Sequence, residues 1–419
     1  MKMNRTKHGL EVETAGKPTL ITGGAGFIGT NLAHRFLKAG QPVILFDNLS
    51  RAGVERNWAW LRETHGNLVQ LHKADIRDAG EVRSAVKKAG QVFHFAAQVA
   101  VTTSLEDPVF DFDVNCRGAL NLLEAIRQQD TPVPIIFTST NKVYGEMNDV
   151  DLRLRGERYE PVAERYRTHG FSEERQLHFH SPYGCSKGAA EQYVLDYART
   201  FKIPAAVFRM SCIYGPHQFG NEDQGWVAHF LIRALERKGI TIYGDGKQVR
   251  DVLFVEDLVD AFLAAMKNIR KISGEAFNIG GGPGSTISLL ELLEAIEDLN
   301  GVRPTVTFED WRPADQRYYV SDTRRFTEAT GWKQQVSARE GITRLQQWLL
   351  ESWEGAPLLG REITPLSEGN GLAGRAVDGY PVLAGKATRS KRLWGNGGSL
   401  GGGSNGNGGG HRGKFVRSS

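Results

Sequence analysis

Tyr183 and Lys187, four residues apart, have the residue types and the spacing of a proton-transfer pair. Residues four apart share one face of a helix. A free tyrosine has a pKa near ~10, and a fixed ammonium close by would lower it. The phenolate could then take a proton from an alcohol while a hydride leaves the same carbon, with Thr140 holding that alcohol. A lone Tyr-x-x-x-Lys is also a frequent coincidence on protein surfaces, so this interpretation needs a cofactor site beside it.

A glycine-rich loop at 23–29, reading G-G-A-G-F-I-G, supplies such a site. It matches both G-x-G-x-x-G and G-x-x-G-x-x-G, and it lies between a predicted strand and a predicted helix. Glycine permits the tight turn and lets backbone N–H groups approach a pyrophosphate at the start of the helix. Asp47 ends the second predicted strand, where a carboxylate binds the adenosine ribose and repels a 2′-phosphate. The cofactor predicted is NAD, although Arg51 could pair with such a phosphate and keeps NADP open.

The elements that must position these residues alternate between strands and helices. Short apolar runs predict strands at 18–22, 43–47, 92–96, 135–138 and 205–209, with helical apolar spacing at 27–39 and 112–128. Strand, helix and strand repeating at this spacing predict right-handed β-α-β units and a parallel sheet. We therefore expect an α/β fold with a Rossmann-type doubly wound sheet.

The domain organisation follows from changes in composition along the chain. We expect a disordered lead-in at 1–16, an NAD-binding domain at 17–210 with an insert at 146–179, a smaller mixed α/β substrate lobe at 211–355 that interleaves with the last sheet strands, and a flexible Gly-rich tail at 356–419. Residues 357–419 carry nine Lys or Arg and three Asp or Glu, so the tail accounts for the net charge of +4. The nearly neutral remainder argues against nucleic-acid binding. A tether for an anionic partner or a membrane surface is the alternative interpretation of the tail.

The cysteines and the apolar runs bound the class of protein. The three cysteines include no C-x-x-C pair, which predicts neither a disulfide framework nor a metal site. No apolar run approaches the ~18–20 residues that span a bilayer. The polar N-terminus lacks a secretion segment. We predict a cytoplasmic enzyme without a metal ion and without a membrane partner.

With these features in place, residues 17–355 resemble the extended short-chain dehydrogenase/reductase superfamily, whose similar members act on nucleotide-linked sugars. The resemblance implies the catalytic set Thr140, Tyr183 and Lys187, with Lys187 also holding the nicotinamide ribose. The predicted cofactor contacts are Gly23, Gly26, Phe27, Ile28, Gly29, Asp47, Asn48, Asp75, Ile76, Ala96 and Lys187.

The two residues after Thr140 narrow the reaction. Sugar-nucleotide 4,6-dehydratases of this superfamily carry Asp-Glu there, and those acids protonate a leaving hydroxyl and abstract the C5 proton. This chain has Asn141 and Lys142 instead. An amide and an ammonium cannot replace that acid–base pair, so dehydration is not expected. The remaining reaction is oxidation followed by re-reduction, which is epimerisation.

Longer stretches at 97–104, 139–145, 178–190, 223–227 and 246–252 resemble the family of CDP-paratose 2-epimerases, also called CDP-tyvelose epimerases. The insert at 146–179 fits this family too, and its place before Tyr183 suggests a wall or lid over the sugar rather than a plain surface loop. The resemblance implies that NAD⁺ takes a hydride from sugar C2 while Tyr183 removes the hydroxyl proton. The keto sugar then presents its other face, and the cofactor is regenerated in each turnover.

Two arginines are predicted to grip the nucleotide diphosphate, because guanidinium groups bind phosphate bidentately. They are Arg250 and Arg312, which match phosphate-gripping positions in the superfamily. The alternative is structural ion pairing, of Arg250 with Asp251 or of Arg312 with Asp315. The remaining substrate contacts predicted are Thr102, Asn141 and His180, each of which could instead be a structural polar group.

Three other functions stay open at this level: a UDP-hexose 4-epimerase, a net sugar-nucleotide oxidoreductase that releases NADH, and a regulatory protein that only binds the dinucleotide. Members of the superfamily commonly pair through a four-helix bundle. We therefore expect a homodimer or homotetramer, with the helices at 112–128 and 186–200 as candidates for the interface.

Overall fold

The computed structural model of the chain describes residues 16–352. The predicted tail at 356–419 and residues 1–15 of the predicted lead-in lie outside the described residues. The strands are β1 (Thr19–Thr22), β2 (Val43–Asp47), β3 (Val69–Lys73), β4 (Gln91–His94), β5 (Ile135–Thr140), β6 (Leu152–Leu154), β7 (Tyr159–Pro161), β8 (Ala205–Met210), β9 (Cys212–Tyr214), β10 (Ile240–Tyr243), β11 (Val249–Phe254), β12 (Glu275–Ile279), β13 (Thr286–Ser288), β14 (Val306–Glu309) and β15 (Tyr318–Tyr319).

The α-helices lie between these strands and after them. They are α1 (Phe27–Lys38), α2 (Val54–His65), α3 (Ala79–Val86), α4 (Val101–Glu106), α5 (Pro108–Phe112), α6 (Gly118–Arg127), α7 (Glu164–His169), α8 (Ser181–Phe201), α9 (Trp226–Leu235), α10 (Val255–Lys267), α11 (Ile269–Ile272), α12 (Leu289–Asn300), α13 (Arg324–Thr330) and α14 (Ala338–Ser352). Within residues 16–352, no helix combines the length and the apolar character that crossing a membrane requires.

Seven parallel strands form the main sheet, in the order β12-β8-β5-β4-β1-β2-β3. The chain runs outward from β1 to β3 and then returns to β4, which pairs with the other side of β1. Ligands of open α/β sheets bind in the crevice where the order reverses, outside the carboxyl ends of the strands. The Rossmann-type fold predicted from the sequence is confirmed.

Apolar layers cover both faces of this sheet, as its continuous apolar strands require. On one face, Leu122 of α6 and Val194 of α8 pack against Val207 of β8. On the other face, a second cluster contains Leu32 of α1 and Phe262 of α10. The two helical layers hold the strand ends in fixed positions, and those ends carry the candidate site.

The single helix predicted at 112–128 is wrong in one respect, because a π-helical segment, Asp113–Arg117, separates α5 from α6. The Asn115 amide group lies within it and donates to Ser186 and to Asp111, both at 3.1 Å. Its oxygen accepts from the backbone N–H of Gln98 at 2.9 Å. Such π-bulges occur frequently at functional sites. Apolar periodicity does not reveal the extra residue in this turn, since the helix stays amphipathic on both sides of it.

The C-terminal part of the fold is built around β11, which pairs with β9, β13 and β15. Helices α9, α12 and α14 share an apolar cluster with this strand through Leu231, Leu292, Ile342 and Phe254. β12 returns to the edge of the main sheet, beside β8. The chain therefore returns from the C-terminal part of the fold to the main sheet, so the two parts are interleaved. The functional division at residue 210 stays a prediction.

The insert at 146–179 forms the hairpin β6–β7 and helix α7, and it is bound to the C-terminal part of the fold. The Tyr159 N–H donates to the Lys247 carbonyl at 2.9 Å, and the Phe171 N–H donates to the Val320 carbonyl at 2.8 Å. Residues of the insert line a cavity of about 760 Å³ together with Asp322. Whether the insert forms a wall over the sugar stays a prediction.

Candidate active site

The glycine loop turns the chain from β1 directly into α1. Gly23 has a φ of +65°, and a Cβ added to it would lie 2.7 Å from the backbone nitrogen of Ala96. A Cβ on Gly29 would lie 2.5 Å from the Gly23 carbonyl oxygen. Larger residues at either position would push the backbone segments apart, so glycine is required for the close approach.

The start of α1 has the form of an anion site. Gly26 is the N-cap residue of α1, and the helix begins at Phe27. Because glycine has no side chain, the first backbone N–H groups of the helix, at Phe27 and Ile28, have no side-chain cap. Uncapped N–H groups and the helix dipole favour a phosphate at this position. The loop therefore fits the pyrophosphate of a dinucleotide.

Asp47 lies at the carboxyl end of β2 and is held by the backbone on both sides. Its Oδ2 accepts from the Ala25 N–H of the glycine loop at 3.0 Å, and its Oδ1 accepts from the Leu49 N–H at 2.8 Å. Burial raises the pKa of Asp47, while these two N–H groups and the charge of Arg51 act to lower it. The carboxylate is thus fixed beside the loop, where it could receive the ribose hydroxyl groups of NAD.

Asn48 and Asp75 meet at the same edge of the sheet, where the Asn48 amide donates to Asp75 at 3.0 Å. Two 2.9 Å hydrogen bonds from the Arg77 guanidinium help to lower the pKa of Asp75 to about 2. Ile76 is buried, and a Cβ on Gly118 would lie 2.8 Å from its side chain. These positions are predicted cofactor contacts, although Asp75 already has strong partners in the protein.

Thr140, Tyr183 and Lys187 come together between β5 and α8, and all three are buried. Thr140 ends β5 and caps a short 3₁₀ helix, accepting the Lys142 N–H at 3.2 Å. The side chain of Thr140 is hydrogen-bonded to Tyr183. The Lys187 ammonium donates to the Thr138 carbonyl at 2.6 Å. Helix α8 and strand β5 thus bring together three residues separated by up to 47 positions in the chain.

The electrostatics of the pair differ from the expectation based on sequence. Burial raises the pKa of Tyr183 to about 12, against the hydrogen bond from Thr140, which acts to lower it. Burial also lowers the pKa of Lys187 to about 8, against the charges of Asp111 and Glu191. In the protein alone the phenol of Tyr183 is therefore less acidic than a free one, since desolvation outweighs the hydrogen bond from Thr140.

A buried carboxylate behind α8 was missed in the sequence. Asp111 is fully buried and accepts hydrogen bonds from the Ser186 hydroxyl and from Asn115. Against the effect of burial, its negative charge acts to raise the pKa of Lys187. The spacing of Asp111 and Asn115 by four residues is compatible with one helical face, but only the fold places them behind Lys187.

A second network supports the strand that carries Thr140. Glu191 of α8 is fully buried, accepts from the Ser139 hydroxyl at 2.7 Å, and forms an ion pair with Arg209 at 2.6 Å. Arg209 also donates to the Tyr144 hydroxyl at 2.9 Å. Removing one member of a buried pair leaves an uncompensated charge, so this network locks β5, β8 and α8 together.

The two predicted phosphate-binding arginines have partners different from the ones suggested by the sequence. Arg250 pairs with Asp315 at 2.7 Å. Arg312 pairs with Asp223 at 3.5 Å and lies 3.9 Å from the ring centre of Tyr243. Both arginines are therefore held by carboxylates from separate loops, which local sequence could not indicate.

The other predicted substrate contacts fall in two places. Thr102 donates to Asp223 at 3.0 Å, so it shares this carboxylate with Arg312. Asn141 lies beside Thr140, and its amide donates to Gln316 at 3.1 Å. His180 is 45% exposed and contacts Glu146 at 3.0 Å, at the end of the insert.

A glycine-lined anion site beside a buried Thr–Tyr–Lys set defines an NAD-dependent enzyme of the extended short-chain dehydrogenase/reductase class. The chain belongs to the NAD dependent epimerase/dehydratase family, whose model matches residues 19–280. It is 46% identical over 336 residues to the CDP-paratose 2-epimerase of Salmonella typhi, a match that covers 78% of this chain and 98% of that protein.

Solved structures of epimerases have the same fold. The UDP-glucose 4-epimerase of Thermus thermophilus, in complex with NAD, is 33% identical with a TM-score of 0.64, covering 78% of this chain and 97% of that one. The UDP-glucuronic acid 4-epimerase of Bacillus cereus, in complex with UDP-glucuronic acid and NAD, is 27% identical with a TM-score of 0.68, covering 80% and 99%. The cofactor of this protein is NAD.

Proposed function

We propose that this protein epimerises a CDP-linked 3,6-dideoxyhexose at C2, converting CDP-paratose to CDP-tyvelose. The observation that carries the proposal is the 46% identity to a CDP-paratose 2-epimerase across 98% of that protein's length. The relatives described as UDP-glucose 4-epimerases are 31% and 33% identical over a similar length. The similarity therefore favours the C2 reaction over the C4 reaction.

In this proposal, Tyr183 exchanges the proton of the sugar 2-hydroxyl group, and Thr140 orients that group. Bound NAD supplies the hydride acceptor and donor. Because burial raises the pKa of Tyr183 to about 12, the phenolate forms only while positive charge lies beside it. Lys187, anchored to the Thr138 carbonyl, is the side chain placed to supply part of that charge. Tyr183 returns the proton when the keto group is reduced.

The surroundings of Thr140 support epimerisation rather than dehydration. Asn141 is bound to Gln316, and Lys142 donates to the Ala314 carbonyl at 3.0 Å. Neither side chain is a carboxylic acid that could protonate a leaving hydroxyl group. We infer that the transient keto sugar is re-reduced without loss of water.

Conversion of CDP-paratose tests this function directly. The purified protein is incubated with CDP-paratose, and the appearance of CDP-tyvelose is followed by NMR. We expect conversion without net change in absorbance at the reduced-nicotinamide band and without added oxidant. No conversion, together with turnover of a UDP-hexose at C4, would replace this function by the 4-epimerase alternative. Accumulation of NADH would instead indicate a net oxidoreductase.

We further propose the cellular and structural setting. Residues 17–210 would bind NAD, and residues 211–355 would mainly bind the sugar nucleotide. Apolar side chains exposed near α5 and α8 favour a homodimer or homotetramer through this face. They are Leu105, Val109, Phe110, Phe112, Tyr193 and Phe201. The free thiols of Cys116, Cys185 and Cys212 agree with the reducing cytoplasm.

A further inference from the structure

The two residues after Thr140 hold a loop of the C-terminal part of the fold. It consists of residues 312–317 (the 312–317 loop). The Lys142 ammonium donates to the Ala314 carbonyl at 3.0 Å and to Asp315 at 3.4 Å. The next residue, Gln316, accepts from the Asn141 amide at 3.1 Å. Neighbouring residues of the catalytic strand end thus bind neighbouring residues of the loop.

The loop backbone needs this support. Ala314 has a φ of +60°, a conformation that residues other than glycine rarely adopt. Such backbone persists only where the surroundings determine it. The Lys142 ammonium binds the carbonyl of this same residue, and Gln316 also donates to the Gly145 carbonyl at 2.6 Å.

Asp315 is shared between two cations. Its Oδ1 accepts from Arg250 at 2.7 Å and from Lys142 at 3.4 Å. The Arg250 side chain is only 7% exposed, whereas those of Lys142 and Asp315 are 21% and 22% exposed. A phosphate that approaches Arg250 therefore meets a carboxylate already bound to the same guanidinium, and the two anions compete.

We propose that Asp315 transfers from Arg250 to Lys142 when the diphosphate of the sugar nucleotide binds, so that Lys142 and Asp315 couple the phosphate site to the strand end that carries Thr140. This inference rests on the proposed function and on the assignment of Arg250 to the diphosphate that the sequence predicts. In the protein alone, Asp315 neutralises Arg250. In the complex, the phosphate takes Arg250, and Lys142 retains Asp315 and with it the 312–317 loop. Lys142 and Asp315 are positioning residues in this scheme.

The scheme predicts opposite effects of two substitutions on nucleotide affinity. Asp315→Asn removes the competing carboxylate, so CDP should bind about tenfold more tightly than to the unchanged protein. Lys142→Met leaves Asp315 to Arg250, its other cation among residues 16–352, so CDP should bind to this variant about tenfold more weakly. A tenfold change corresponds to about 1.4 kcal/mol. The double variant should bind like Asp315→Asn, because no carboxylate remains for Lys142 to hold.

The experiment is calorimetric titration of the NAD-loaded protein with CDP, and with UDP as a second probe. The control is Asp260→Asn, which removes a carboxylate from an ion pair with Arg35 that is 2.6 Å long but about half exposed. This control should leave nucleotide affinity unchanged. Weakening in both single variants, or no change in either, would overturn the proposal, since a purely structural role gives effects of one sign. If Lys142→Met does not fold, the Asp315→Asn variant decides by itself: unchanged or weaker CDP binding by that variant overturns the proposal.

The titration separates this inference from the proposed function, because nucleotide affinity does not depend on turnover. Opposite shifts in a protein that does not convert CDP-paratose would support the exchange of Asp315 and reject the substrate. Conversion of CDP-paratose by a protein whose variants bind CDP unchanged would support the substrate and reject the exchange.

Discussion

The ammonium of Lys187 donates to the carbonyl of Thr138 at 2.6 Å, two residues before Thr140 on the same strand. The lysine of the candidate catalytic set is therefore attached to the strand that carries the threonine. It also lies 4.4 Å from the ring centre of Phe137. This anchorage fixes α8 against β5, so the helix that carries Tyr183 is held rigidly beside the strand that carries Thr140.

Tyr183→Phe should remove the proton acceptor while keeping the ring in place. We expect turnover to fall by about 10²- to 10⁴-fold, the usual range for loss of a general acid–base group. NAD affinity should stay unchanged, measured by fluorescence titration. Tyr193→Phe, on the same helix but 44% exposed, is the matched control and should keep full activity. Undiminished turnover of Tyr183→Phe would exclude Tyr183 as the proton-transfer residue.

Lys187→Met should stabilise the cofactor-free protein at neutral pH while abolishing turnover. The pKa of Lys187 falls from 10.5 to about 8 on folding, which at about 1.4 kcal/mol per unit corresponds to roughly 3 kcal/mol of instability at pH 7. Loss of the hydrogen bond to Thr138 offsets part of it, leaving an expected gain of about 1–2 kcal/mol.

The pH dependence of that gain provides its test. Between pH 8 and 10.5 the unfolded protein binds more protons than the folded one, so stability of the unchanged protein rises with pH. The advantage of Lys187→Met should therefore shrink across this window in urea unfolding. Lys267→Met, an exposed lysine of α10, should show no such trend. Destabilisation of Lys187→Met by the same amount at every pH would contradict the cost of burying this ammonium.

Asp47→Asn should weaken NAD binding by about 10- to 100-fold, because hydrogen bonds to a charged group contribute about 1.5–3 kcal/mol. NADP should bind more tightly than to the unchanged protein, since the repelling carboxylate is gone and Arg51 remains. Calorimetry with each dinucleotide measures both effects. Asp75→Asn is the comparison, with an expected change below about threefold, because Arg77 already occupies that carboxylate. Equal losses in the two variants would count against a special role of Asp47.

Val109→Asp should dissociate the proposed oligomer. Val109 lies on α5, is 69% exposed, and belongs to the apolar face shared with α8, where a buried charge would be costly. Light scattering coupled to size exclusion should show a smaller particle. Val302→Asp is the control, since Val302 is 71% exposed but lies after α12 in the C-terminal part of the fold. A particle of unchanged mass in Val109→Asp would place the interface elsewhere.

Local patterns in the sequence were sufficient for the sheet and for the glycine loop. The strand at Val43–Asp47 was predicted to the residue, and α1 within one residue, because apolar periodicity and turn residues are local signals. The candidate catalytic residues were predicted from the spacing of Tyr183 and Lys187 together with the glycine loop, which lies between a strand and a helix. The structure adds that Thr140 ends β5 while Tyr183 and Lys187 lie on α8, with the Lys187 ammonium bound to the Thr138 carbonyl of that strand.

Pairings between distant segments could not be predicted. Arg250 meets Asp315, 65 positions away, rather than the adjacent Asp251. The direction of the pKa shift of Tyr183 was also missed, because the sequence shows that a lysine is nearby but not how completely both groups lose water. Charges and burial depend on the whole fold, whereas motifs record only which residue types are present.

The attachment of the insert to the C-terminal part of the fold bears on how the sugar turns over. The insert begins after Gly145 and ends just before α8, which starts at Ser181. Between these points Arg158 bonds to Glu291, and Tyr159 bonds to Asp245 at 2.6 Å. Swinging the two halves of the molecule apart would break these bonds in every cycle. In the proposed epimerisation, the keto sugar would therefore have to present its other face without such an opening.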